Sequence, residues 1–349
     1  MRVESTTIEA PVPSPDHCQN ERGARPLISV VLSFFNEAAV LPELIDRLRA
    51  TLRKEVSNGH ASGYELVFVN DASTDESEQI LRKEADEGRD ILIVNMSHNF
   101  GVSPCVIAGM AYSRGELVVY MDSDLQDPPE LISEMLALWR SEPDVDVVNT
   151  VRRTRQGDTW LQLNLTRIGY KILRRISDVQ ILENAGDFKL LSRRVVNHMV
   201  RMNEKLPFIR GMVYWIGYKQ LSLSYDRVAR FDGRSKFPIL GRKVLQNFLF
   251  SAMISFSSAP LMLTIALGLL TSLFSFVMLV YVVVQWFVLR EVTQGWTMLM
   301  ATMTLLGGMQ LLTNGINGLY INTIYHETKR RPPYIVSSVY GFDANRKGQ

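Results

Sequence analysis

Two stretches of this chain, Pro260–Leu289 and Trp296–Ile324, contain no Asp, Glu, Lys or Arg. A helix needs roughly 20 apolar residues to cross the hydrocarbon core of a bilayer, so each stretch is long enough to span it. Only Arg290–Gly295 joins them, Arg242 and Lys243 precede the pair, and Lys329, Arg330 and Arg331 follow it. Because cationic loops stay on the cytoplasmic side, both flanks are expected there and the short loop outside. Gly307, Gly308, Gly315 and Gly318 in the second stretch suit close packing against a neighbouring helix. The expected organisation is a disordered tail over 1–26, a cytoplasmic folded domain over 27–236, and an amphipathic juxtamembrane helix over 237–258. Two transmembrane helices follow within 259–325, at about 260–289 and 296–324, and then a cytoplasmic C-terminal tail over 326–349.

The tail carries Pro11, Pro13, Pro15 and mixed charges with no apolar core, which is not the pattern of a signal peptide. Cys18 and Cys105 cannot build a disulfide framework, and five scattered His residues offer no zinc spacing. The net charge of +2 hides an asymmetry: acids are denser before residue 147, and Arg and Lys dominate between Arg152 and Lys243. That predicts an acidic half suited to a cation and a basic half facing anions or a membrane surface. Two amphipathic segments fit the headgroup region of an anionic leaflet. In one, Leu161, Leu165, Ile168, Ile172 and Ile176 alternate with Arg167, Lys171, Arg174 and Arg175; in the other, Arg242 and Lys243 sit among the apolar residues of 237–250.

Upstream, short apolar runs alternate with helical stripes. Leu27–Leu32, Glu65–Val69, Ile91–Asn95, Leu117–Met121 and Val145–Asn149 read as strands. Leu41, Leu44, Ile45, Leu48 and Leu52 form a helical stripe; further helices are expected over 76–84, around 108–112, and over 131–139. Asp75 and Glu78 have the spacing of a capping box at the second helix. Such alternation predicts an α/β domain with a doubly wound, mainly parallel sheet. In a parallel sheet all strands end on one side, so Asn36/Glu37, Asn70/Asp71 and Asp122/Asp124 should meet in one crevice. Asp122 and Asp124 on a turn at a strand's carboxyl end are hard oxygen ligands for a divalent cation, whose natural companion there is a phosphate ester. Asp127 and Glu130 are placed to cap the helix that follows.

Several pieces then occur in order: Val30–Glu37, Val69–Asp75, Asn99-Phe100-Gly101, Met121–Glu130, Ala185–Leu190, Phe208–Gly211, Arg234–Phe237 and Lys329–Tyr334. In these the chain resembles family 2 glycosyltransferases of the GT-A fold, and among them the polyprenyl-phosphate glycosyltransferases, such as dolichol-phosphate mannose synthase and bacterial undecaprenyl-phosphate glucosyltransferases. The resemblance implies inverting transfer of one hexose from a nucleotide-sugar, with UDP-glucose preferred, to polyprenyl phosphate at the cytoplasmic membrane face. It implies a nucleotide-sugar site at Ser33, Asn36, Glu37, Asp71, Ser73, Asp122 and Ser123, and Mg2+ or Mn2+ on Asp122, Asp124 and Gln126. Asp187, with Asp124, is the catalytic candidate, as a base or an acceptor-orienting group. Arg210, Arg230, Arg234, Ser235 and Lys236 would grip the lipid phosphate, with Arg152 and Arg153 as helpers. Expected partners are the two substrates, the lipid bilayer and further copies of the chain, but no nucleic acid. Ser33 stands where the family usually has Pro, and Asn70-Asp71 replaces a more usual acidic pair.

Two other readings stay open from sequence. A processive polysaccharide synthase of the same superfamily would carry a Gln-x-x-Arg-Trp motif, which this sequence lacks. A catalytically silent membrane adaptor would have lost its acids, yet Asp122 and Asp124 are present.

Overall fold

The computed structural model describes residues 25–152, 185–205, 207–226, 259–284 and 295–341. They belong to two compact units: one holds the sheet with its helices and the segment from Pro332 onward, the other is built mainly from Ile239–Arg331. The amphipathic segments at 161–176 and 237–258 and the tail at 1–24 lie outside the described residues.

In the first unit, β1 (Leu27–Phe34), β2 (Gly63–Asn70), β3 (Ile91–Met96) and β4 (Leu117–Asp122) form a parallel core in the order β3-β2-β1-β4. Their near-continuous apolar character has a direct cause, since these strands are covered on both faces. Helices α1 (Leu41–Ser57), α2 (Ser77–Gly88) and α4 (Leu131–Ser141) pack with Ile28, Val30 and Leu32 on one side. The stripe read from sequence, Leu41, Leu44, Ile45, Leu48 and Leu52, is the buried face of α1. Pro42 sits in its first turn, where no backbone N–H is needed. Helix α3 (Val102–Tyr112) covers the other side, where Val31 and Val69 point. A Cβ at Gly109 would lie 2.4 Å from Val31 Cγ1 and 2.9 Å from Val69 Cγ2, so this glycine sets how closely α3 approaches the sheet.

Among the described strands the sheet is mainly parallel, as expected, and its antiparallel pairings involve the strands outside the β1–β4 centre. β5 (Val145–Arg152) is separated from β4 by β6 (Ala185–Ser192), which runs antiparallel to both. Helices α5 (Arg193–Met202) and α6 (Ile209–Trp215) follow, and β7 (Lys219–Tyr225) adds parallel to β5. At the opposite edge β8 (Val336–Gly341) pairs antiparallel with β3, giving the order β7-β5-β6-β4-β1-β2-β3-β8. The architecture is α/β with a parallel centre inside a mixed sheet. The stretch read as a C-terminal tail therefore contains a strand of that sheet.

The capping box does not form. Helix α2 starts at Ser77, and Glu76 before it makes no side-chain cap, but Asp75 accepts from the Ser77 amide of the first turn and from the Ala38 amide, each at 3.1 Å, tying the α2 entrance to the loop after β1. Glu78 pairs with Arg82 one turn on and accepts from Asn95. Nor do Asp127 and Glu130 cap α4: Glu130 is forked by Arg47 at 2.7 and 2.9 Å, and Asp127 is buried in another network described below.

In the second unit, α7 (Ala259–Val284) and α8 (Trp296–Thr328) pack against each other. Among the described residues one helix segment, Pro260–Met278, is long and apolar enough to cross a membrane, and none of it is buried. Helix α8 is continuous over 33 residues, but Gln310, Asn314, Asn317 and Asn322 dilute its apolar character.

Candidate active site

Backbone register aligns the strand ends. Phe34 pairs with Asn70, Asn70 with Asn95, and Ser33 with both Val69 and Asp122. The loops after β1, β2 and β4 therefore leave the sheet at one level and meet. Each contains a non-glycine residue in the left-handed region: Asn36 at φ 55°, Ala72 at 59° and Leu125 at 55°. For Ala and Leu that conformation costs about 1–2 kcal/mol, and such strain concentrates at functional sites.

The loop after β4 has a simple exposure pattern. Met121, Ser123, Leu125 and Asp127 are buried, whereas Asp122, Asp124 and Gln126 are half-exposed. The alternation separates two roles that the sequence runs together. Asp124 Oδ1 accepts from the Gln126 amide at 3.2 Å, which rigidifies the turn, and Ser123 Oγ donates to the Ser33 carbonyl at 2.9 Å. The Ser123 hydroxyl thus ties β4 to β1.

The loops after β1 and β2 interlock. The Asn36 amide donates to Ser73 Oγ at 3.0 Å, the Thr74 amide to Asn36 Oδ1 at 2.8 Å, and the Glu37 amide to Ser77 Oγ at 3.0 Å. Asp71 is buried and accepts from the Phe100 and Gly101 amides at 2.7 and 3.0 Å, fixing the Asn99-Phe100-Gly101 turn beside the crevice. Of the residues expected to bind a nucleotide-sugar, Ser33 and Asp122 end β1 and β4, paired with each other, and the rest lie on the converging loops that follow the strands. Asn36, Asp71, Ser73 and Ser123 also brace the loops against one another. Glu37 is half-buried there.

A second cluster is built by β5, β6, β7 and α6. Arg210 on α6 forks onto Asp187 on β6, with Nε to Oδ1 at 2.6 Å and Nη2 to Oδ2. Burial alone would raise the Asp187 carboxyl, but the Arg210 fork, with Lys189 and Arg152 nearby, holds it below its ordinary value. Asp127 accepts from the Tyr225 hydroxyl, and Arg152 Nη2 lies 3.9 Å from its second oxygen. Burial and the Asp127 carboxylate together push the Tyr225 hydroxyl up to about 12.

Lys189 is fully buried two residues beyond Asp187. Its amine donates to Asn149 Oδ1 and lies 5.1 Å from the centre of the Tyr214 ring. Desolvation is the main influence on it and, with the Arg210 charge and despite Asp187, lowers its pKa to about 7. Sequence reasoning did not select Lys189, although a lysine within Phe188-Lys189-Leu190-Leu191 signals a buried cation. Tyr225 and Asn95 gave no such signal. Arg153, Arg230, Arg234, Ser235 and Lys236 lie outside the described residues, so of the expected phosphate-binding cations the structure describes Arg152 and Arg210.

Comparison with known proteins fits this arrangement. The profile of glycosyl transferase family 2 matches residues 29–200, from β1 to α5, and so spans the crevice and Asp187. The uncharacterized glycosyltransferase YkcC of Bacillus subtilis (strain 168) is 37% identical over 318 residues, 91% of this chain and 95% of its own. The bactoprenol glucosyl transferase of Shigella phage SfX is 33% identical over 311 residues, 89% of this chain and 99% of its own. The prophage bactoprenol glucosyl transferase homolog of Escherichia coli (strain K12) is 32% identical over 312 residues, 89% and 99% respectively. Relatives matched over nearly their whole length, together with a family profile that spans the acid-bearing strand ends, establish that the chain belongs to glycosyl transferase family 2 and is a glycosyltransferase.

Proposed function

We propose that this enzyme transfers a single hexose, glucose in the first instance, from a UDP-sugar to a polyprenyl phosphate at the cytoplasmic face of a membrane, with inversion at the sugar. The observation that carries the reading is the alternation along Met121–Asp127: three oxygen-bearing side chains are half-exposed at the carboxyl end of β4 while the residues between them are buried. Relatives named bactoprenol glucosyl transferase support the choice of sugar and acceptor.

Asp122, Asp124 and Gln126 are a hard-oxygen set suited to Mg2+ or Mn2+. Among the described residues no group of three His, Cys, Asp or Glu side chains is placed to hold a metal ion by itself. That fits a cation completed by substrate phosphates and water, the usual habit of Mg2+, better than a closed protein cage. When bound, such a cation would neutralise the charge that develops on the departing nucleoside diphosphate. The protein's own contribution is position: the interlocked loops would present Asn36, Glu37, Asp71 and Ser73 to the nucleoside, and Asp122 with Ser123 to the sugar phosphate. In this reading the fold is of GT-A type.

Asp187 serves as an orienting group. A carboxylate held low by Arg210 is a weak proton acceptor, and a lipid monophosphate is already anionic at neutral pH. Arg210, with Arg152 behind it and the cations at 153, 230, 234 and 236, would receive the acceptor phosphate, while the Asp187 carboxylate keeps the guanidinium in register before it arrives. Two spans, α7 and α8, would anchor the enzyme with both termini cytoplasmic, and the glycines of α8 would support self-association. Membranes containing the protein, given radiolabelled UDP-sugars, magnesium and undecaprenyl phosphate, should yield a chloroform-soluble labelled product. If none of a panel of nucleotide-sugars labels the lipid, the reading fails.

A further inference from the structure

Asn95, at the carboxyl end of β3, is buried and sits at the centre of a hydrogen-bond relay that ends in the interlocked loops. Its Nδ2 donates to Glu78 Oε1 and to Ser338 Oγ on β8, both at 3.0 Å, and its Oδ1 accepts from Asn70 Nδ2 at 3.0 Å. Asn70 in turn accepts the Ser73 amide at 2.9 Å, and Ser73 Oγ accepts the Asn36 amide. The relay thus runs from β8, through β3 and β2, to the loop after β1.

It is closed on its outer side as well. Tyr340 on β8 donates to Asp86 at 2.7 Å, and Arg82 lies 4.6 Å over the Tyr340 ring while pairing with Glu78, the other acceptor of Asn95. Ser337 Oγ donates to the Asn95 carbonyl at 3.0 Å, and the Ser97 amide donates to the Ile335 carbonyl at 2.9 Å. Every polar atom of the Asn95 amide therefore has a partner, and two strands and one helix fix its orientation.

We propose that Asn95 is a positioning residue for the nucleotide-sugar donor, and that β8, the segment following the last apolar helix, keeps it oriented. Neither Asn95 nor Ser338 touches substrate in this account. They act through Asn70 and Ser73, whose loop must hold Ala72 in the left-handed region for Asn36 and Asp71 to face the crevice. The inference rests on the reading of that crevice as the donor site.

The test is equilibrium binding of UDP in the presence of MgCl2 to the full-length chain in detergent, paired with donor kinetics using UDP-glucose. For Asn95→Ala, Kd for UDP and KM for UDP-glucose should rise roughly tenfold, with kcat changed less than twofold, as expected for losing hydrogen bonds that act on binding alone. Ser338→Ala should raise both about two- to fivefold, and Ser338→Thr, which keeps the hydroxyl on an edge strand, should restore them. A merely structural role predicts a smaller active fraction, hence a lower apparent kcat with Kd and KM unchanged. That result, or unchanged Kd in both alanine variants, overturns the proposal. Wild-type protein that binds UDP yet transfers no sugar would sink the functional reading while leaving the positioning role measurable; wild-type protein that binds no UDP would remove both.

Discussion

At the scale of single residues the site divides into groups that face the crevice and groups that hold them. Asp122 and Asp124 are in the first class, because both are half-open on a turn where Ser123, Leu125 and Asp127 are buried. Asp122→Asn or Asp124→Asn should lower turnover at least ~100-fold, the scale of losing an electrostatic contact made to charge that develops in the transition state, while membrane insertion and melting temperature stay as in wild type. Turnover within tenfold of wild type in both variants would remove the cation site from the mechanism. Lys189 is in the second class and titrates in an accessible range. Its folded-state pKa, about 7, lies below the ordinary 10.5, so between these values the unfolded chain holds a proton that the folded chain has released. Lys189 therefore contributes stability that is complete above about 10.5 and is lost as pH falls through about 7. In Lys189→Met the gain in melting temperature from pH 7 to pH 10 should be smaller than in wild type. Parallel curves for the two proteins would count against a depressed lysine. The pair Asp187 and Lys189 also marks where sequence reading ran short: the motif drew attention to Asp187, but the interaction with Arg210, which decides whether that carboxylate can act as a base, joins residues that only the folded chain brings together.

Among elements, β1 to β4 were legible because strands buried on both faces must be apolar at nearly every position. The register of β1 with β2 and β4 then made the convergence of the acids a consequence of fold class. The later strands hid for physical reasons. β6 interrupts its apolar run with Asp187 and Lys189; β7 is a half-exposed strand; β8 is an edge strand with two serines. None of these patterns separates strand from loop without the partner strand. Helix α3 was visible only in part, since its glycine lowers helix propensity while meeting a packing requirement. Gly109→Ala tests that requirement: a methyl 2.4 Å from Val31 Cγ1 has no room in a β-branched, fully buried neighbourhood, so overpacking should cost about 1–3 kcal/mol despite the better helix former. Chemical denaturation of the detergent-solubilised protein would register this as a lower midpoint; an unchanged or raised midpoint would mean that α3 can lift from the sheet at no cost.

For the molecule as a whole, the arrangement of charges around the apolar segments makes a claim about sidedness that can be probed with thiol chemistry. Arg242 and Lys243 before the first apolar stretch and Lys329, Arg330 and Arg331 after the second favour a cytoplasmic location for both, which leaves Glu291–Gly295 outside. Helix α7 carries the apolar length that this needs; α8 is long enough, at about 1.5 Å per residue, but its amide side chains make spanning depend on close packing with a neighbour. The native thiols do not obstruct the experiment. Cys105 is fully buried and burial holds its thiol protonated, so replacing Cys18 alone gives a background that resists labelling. In that background Thr293→Cys should react with a membrane-impermeant maleimide in intact cells. Lys329→Cys should react only after the membrane is opened, since the sheet unit that resumes at Pro332 must share a compartment with the nucleotide-sugar. Labelling of Lys329→Cys in intact cells would place β8 and the relay through Asn95 on opposite sides of the bilayer, which their pairing with β3 forbids. Because paired strands must share a compartment, the number of crossings between β3 and β8 is even, so that outcome would overturn the two-span arrangement together with the β3–β8 pairing.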